Sequence, residues 1–110
     1  MKPIKMYVPK DIPELLDFVV SMLSAAPKFI DKTGYFRYQN LDYVFRQLYE
    51  GLNLNRQTLG EERYKELMRM SGQIRALFEA DPEDKTGDTL RGCKIIHEME
   101  DILRQVRRKS

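Results

Sequence analysis

The chain has 110 residues, 42% of them hydrophobic and 33% charged, with one Cys, one His and a formal net charge of +2. That length supports one domain with its own core, and a single Cys beside a single His excludes both a disulfide scaffold and a Cys/His zinc site. The near balance of bases and acids weighs against a dedicated nucleic-acid domain, which needs a clustered basic excess to neutralise phosphates.

Pro3, Pro9 and Pro13 keep the first dozen residues out of helix, because proline lacks the amide donor and pushes its predecessor toward extended geometry. Residues 1–11 are therefore predicted to be an extended arm. Asp11 is a natural N-cap, Pro13 falls in the first turn where its missing donor is harmless, and a first helix is expected over 12–26, ending before Pro27. Its apolar members, Ile12 to Leu23, span about 200° of the helical wheel, wider than the stripe of an ordinary surface helix. Such a helix is either the most buried of its bundle or touches a second chain.

Residues 27–39 read as a loop carrying Tyr35, Phe36, Arg37 and Tyr38, a mixture of stacking groups and a cation that suits recognition. Asn40 caps a second predicted helix over 41–59, with Val44, Phe45, Leu48 and Leu52 on one face and Asn55 inward among them. An inward amide is costly unless paired, and one such Asn can set register in a helical assembly. On the opposite side, Tyr43 and Leu54 flank Gln47 and Glu50, which leaves apolar groups on a face that should be wet. A partner protein, a second copy or the N-terminal arm would cover them.

Gly60 separates the second helix from a third over 61–80, whose inner face carries Leu67, Met70, Ile74 and Phe78. A polar turn follows, Asp88 is expected to cap a fourth helix over 89–107, and Ile96, Met99, Leu103 and Val106 point inward. Asp-Lys-Thr-Gly occurs at 31–34 and again at 84–87, each between predicted helices. The simplest reading is a local turn in which Asp and Thr accept backbone amides and Gly supplies a positive φ. The expected fold is all-α, an antiparallel four-helix bundle with an extended N-terminal arm.

No catalytic constellation stands out. Glu62, Glu66, Glu98 and Asp101 loosely resemble the paired acidic motifs by which all-α nucleotide pyrophosphatases hold magnesium, but the wheel turns them toward water. His97 sits at the edge of the fourth helix's apolar stripe and can pair with Asp101 one turn on. Cys93 is expected to pack against a neighbouring helix. Arg104, Arg107, Arg108 and Lys109 suit phosphate contact, though basic side chains also complement a helix C-terminus.

The leading expectation is a small non-catalytic protein that works through protein contacts, most simply as a homodimer, and needs no cofactor or metal. Its candidate contact residues are Tyr35, Phe36, Arg37, Tyr38, Tyr43 and Leu54. The alternatives are a magnesium-dependent nucleotide hydrolase built on Glu62, Glu66, Glu98 and Asp101, and a weak nucleic-acid binder using Arg37 and the basic C-terminus. No run of about 18 apolar residues occurs, and the first residues lack the apolar stretch of a signal peptide. The expected location is a cytoplasm, most simply bacterial, with no membrane partner.

Overall fold

The computed structural model of the chain describes residues 6–26 and 40–109. These form five helices, α1 (Ile12–Ala25), α2 (Leu41–Leu54), α3 (Arg56–Leu59), α4 (Glu61–Ala80) and α5 (Asp88–Lys109), and no strand among the described residues. The fold is all-α. Four long helices are present as expected, joined by one short helix that was not. The expected loop at 27–39, with the first Asp-Lys-Thr-Gly, lies outside the described residues, as do residues 1–5 of the arm.

Local chemistry sets the helix starts. The Asp11 carboxylate accepts from the Glu14 amide at 2.9 Å, and the Asn40 side-chain oxygen accepts from the Tyr43 amide at 2.9 Å. Each satisfies one of the donors that a helix start leaves without a partner. At Gly60 the chain takes φ +84°, which a residue without Cβ adopts at little cost, and α4 begins immediately after.

The expected single helix over 41–59 is interrupted at Asn55 (φ −101°, ψ 11°). The Asn55 side chain donates to the Gly51 carbonyl at 2.7 Å, the same oxygen that its own main-chain amide approaches at 3.2 Å. An Asn that competes for the carbonyl one turn back loosens the helical ladder. The chain then resumes as α3 and delivers Leu59, 1% exposed, to the core.

α1 packs against α5 and α2, and α4 packs against α5 and α2, while α3 leans on α4. The core runs through all of them, from Leu15, Val19 and Met22 through Phe45, Leu48, Leu52, Leu67 and Ile74 to Ile96, Met99 and Leu103. The wide stripe of α1 is thereby accounted for within one chain. Phe18 and Leu23 lie half-buried against the core, leaving Val20, at 40% exposure, as the large apolar side chain of α1 in solvent.

Phe78 is the joint between α2, α4 and α5. Its ring meets Phe45 edge-on, centroids 6.4 Å apart, and its other side faces Gly92 of α5, where a Cβ would come within 2.5 Å of the ring. Gly92 therefore sets how closely α5 approaches α4.

The turn before α5 is organised from a distance. Asp81, 2% exposed, accepts from the amides of Lys85 (2.7 Å), Thr86 (3.1 Å) and Thr89 (3.1 Å), and its carbonyl accepts from the Thr89 hydroxyl at 3.0 Å. Asp88 was the expected cap. Instead it is the first residue of α5, and Asp81 receives the helix's free amide from eight residues upstream. The second Asp-Lys-Thr-Gly is a turn in which Gly87 has φ +89° and Asp84 has φ +55°. Burial pushes the Asp81 carboxyl up, but the amides of Thr89, Lys85 and Thr86 outweigh this and hold it well below the usual carboxylate range.

Two measurements check this account. Gly→Ala inside a helix ordinarily stabilises by about 1 kcal/mol, yet Gly92→Ala should lower the thermal midpoint. Phe78 is 1% exposed and already meets Phe45, and overpacking of this kind costs about 1–3 kcal/mol. Because the folded pKa of Asp81 is depressed, its contribution is complete above the unfolded value of about 3.9 and is lost as pH falls below that. Asp81→Asn should therefore be less stable at neutral pH and show a shallower loss of stability between about pH 4 and 2 than the parent chain, read by thermal melts across pH.

Candidate functional site

The most specific long-range arrangement in the molecule is the seating of the N-terminal arm on α2. Gln47, Gly51 and Asn55 follow one another at four-residue spacing and so form a track along one side of the helix. The Gln47 side-chain amide donates to the Tyr7 carbonyl at 2.9 Å, and that of Asn55 donates to the Pro9 carbonyl at 3.4 Å. Between them Gly51 leaves a notch for the Pro9 ring. A Cβ there would lie 3.1 Å from Pro9 Cδ and 3.3 Å from Leu15 Cδ1.

All three track residues are buried, as is Pro9. Proline suits this position because it has no amide donor to leave unsatisfied when buried. The arm is also held from the α1 side. The Tyr7 hydroxyl donates to Glu14 Oε1 at 3.0 Å, and its ring lies 6.4 Å from that of Phe18, while the Lys10 amide reaches Glu14 Oε1 at 3.4 Å. Even so, Tyr7 remains half exposed.

Asn55, expected as a possible register device between chains, thus has its amide satisfied within the chain, by Gly51 and by the arm. Gln47, read from sequence as lying on a wet face, is buried under the arm. Its signal was the amide, glycine, amide repeat at 47, 51 and 55, legible only with a proline-bearing segment in mind to fill the glycine notch.

Of the expected contact residues, Tyr43 is half-buried and Leu54 is 61% exposed. On the wheel both flank the track on the side away from the core. Tyr35, Phe36, Arg37 and Tyr38 lie outside the described residues.

The four carboxylates of the magnesium alternative are placed as follows. Glu62, Glu98 and Asp101 are exposed, and Glu66 is half-buried. Glu66 is engaged by Arg69, whose Nε lies 3.1 Å from Glu66 Oε2 and which also feels the charge of Glu98. That hydrogen bond lowers the Glu66 pKa and raises that of Arg69. Among the described residues no group of three or more His, Cys, Asp or Glu is arranged to hold a metal ion.

His97 is exposed and its Nδ1 lies 3.3 Å from Glu100 Oε1, so its near acid is Glu100 rather than Asp101. Glu100 is itself buried, 5% exposed, with Oε2 3.2 Å from Arg104. On the wheel Glu100 lies only at the margin of the apolar stripe, so spacing alone does not mark it as buried. Cys93 is a free, half-buried thiol whose pKa is pushed up by burial and then by Asp84, the opposite of what a reactive thiolate requires. Arg104, Arg107 and Arg108 line a concavity of about 290 Å³ near the end of α5. No helix among the described residues is long and apolar enough to cross a membrane.

Comparison with protein-family models, curated proteins and solved structures finds no significant match to this chain.

The track makes a direct prediction. Asn55→Ala leaves the Pro9 carbonyl without its donor and should destabilise the chain by about 1–3 kcal/mol, measured by denaturant titration. Release of the arm should also speed chymotryptic cleavage after Tyr7 under native conditions.

Proposed function

We propose that the chain is a non-catalytic helical module that acts through protein–protein contact, most simply as a cytoplasmic homodimer. The observation that carries this reading is Leu54. A leucine 61% exposed, on the same side of α2 as Tyr43 and next to the arm track, is a large apolar group that a partner would cover. Val20 and Tyr7, at 40% and 50% exposure, add to the apolar area left after folding. The surplus on α1 is smaller than the sequence implied, because α1 uses its width in the core. The interface expected here is correspondingly modest, with an affinity in the micromolar range.

A second reading, weak contact with nucleic acid, is favoured by the concavity shared by Arg104, Arg107 and Arg108. Guanidinium groups match phosphate geometry well. Retention on nucleic acid should then fall steeply with salt and fall further in Arg107→Glu.

Sedimentation velocity distinguishes the two. At tens to hundreds of micromolar the parent chain should sediment at twice its 13.1 kDa mass. Leu54→Glu should return it to monomer by at least a tenfold loss of affinity, with unchanged helical circular dichroism. A parent chain that stays monomeric throughout that range removes the dimer reading.

A further inference from the structure

The arm shows by its own seating what the α2 track accepts. Its two amide contacts go to main-chain carbonyls, those of Tyr7 and Pro9, and the Gly51 notch takes the Pro9 ring. The track thus reads an extended segment with two carbonyls along one edge and a proline at the second. Nothing in those contacts requires that the segment belong to the same chain. The arm joins the rest of the molecule through Lys10 and Asp11, and Asp11 is extended (φ −139°, ψ 176°). Both residues are exposed, so a change of direction there disturbs no core packing.

We propose that the Gln47–Gly51–Asn55 track is an arm-exchange dock, and that in the dimer each copy receives the Tyr7-Val8-Pro9 segment of the other. This rests on the dimer reading and names how the dimer is made. Exchange replaces two intrachain seatings by two equivalent interchain ones, so the dock contacts cancel, and this route to dimers is inexpensive in new chemistry. The balance then falls to the surface that exchange brings together around the dock. Leu54 and Tyr43 border the track and are the residues placed to be covered. The tethered arm has an effective local concentration on the order of millimolar, so the monomer with its own arm seated dominates in dilute solution. The exchanged dimer grows in as concentration rises. A symmetric two-fold assembly follows, because each copy contributes both an arm and a dock.

The test uses two full-length variants. Gln47→Ala/Gly51→Ala keeps the arm and spoils the dock, and Pro9→Asp keeps the dock and spoils the arm. Each alone should be monomeric where the parent chain is dimeric. Mixed in equal amounts they should form a heterodimer, because one intact arm then meets one intact dock, and the mixture should melt at a higher temperature than either variant alone. If both variants dimerise like the parent chain, arm exchange is wrong while the dimer stands. If the parent chain itself is monomeric, both readings fall.

A second measurement guards against variants that fold poorly. A photoreactive benzoylphenylalanine replaces exposed Lys10, and ¹⁵N-labelled and unlabelled copies are mixed and irradiated. Cross-links from residue 10 to α2 should join peptides of different isotopic labels. Cross-links confined to one label overturn the proposal.

Discussion

A primary amide at 3% exposure must place its donors on protein acceptors, and the way Asn55 does this organises one side of the molecule. By bonding the Gly51 carbonyl it loosens the helix at that point, so α2 ends and the short α3 turns Leu59 into the core. By bonding the Pro9 carbonyl it holds the arm along α2. The same seating buries Gln47 and leaves less room at residue 51 than a Cβ ordinarily has. A single polar side chain thereby couples a helix end, a segment far away in sequence and a glycine.

The remaining polar chemistry is mostly local. Arg56 forms a two-point pair with Glu61 at 2.7 and 2.9 Å and lies over the Tyr64 ring, 4.5 Å from its centroid. Arg75 pairs with Glu79 within α4 and reaches Asp42 at the start of α2. Exposed pairs of this kind are each worth about 0–1 kcal/mol, so their larger effect is to neutralise. Arg56, Arg69, Arg75, Arg91 and Arg104 are each paired with an acid in this way. Asp81 is different, because it is buried and its acceptors meet main-chain amides, which fixes the turn into α5 geometrically as well as electrostatically.

The magnesium alternative and the contact reading differ in what they need from geometry. A metal site requires carboxylates converging on one point, and Arg69 already engages Glu66 and lies within reach of Glu98's charge. A contact surface requires only apolar area left in solvent beside a firmly held framework. Leu54 beside the arm track meets that requirement.

The sequence by itself determined the helical class, the approximate helix ends and most of the core. Caps at Asp11 and Asn40, the glycine at 60 and the 3.6-residue spacing of apolar side chains are local signals, complete within a few residues. It determined too that the apolar content exceeds the needs of a narrow helical stripe. Only the tertiary structure decided where that excess goes, which is largely into a broad α1 core face, with Tyr7, Val20, Leu54 and Leu90 left in solvent. The seat for Pro9 lies more than forty residues along the chain, and no local period relates the two. For the same reason Asp81 rather than Asp88 serves α5, and Glu100 rather than Asp101 meets His97. A side chain's choice among nearby partners follows burial and direction in three dimensions, which spacing along one helix does not specify.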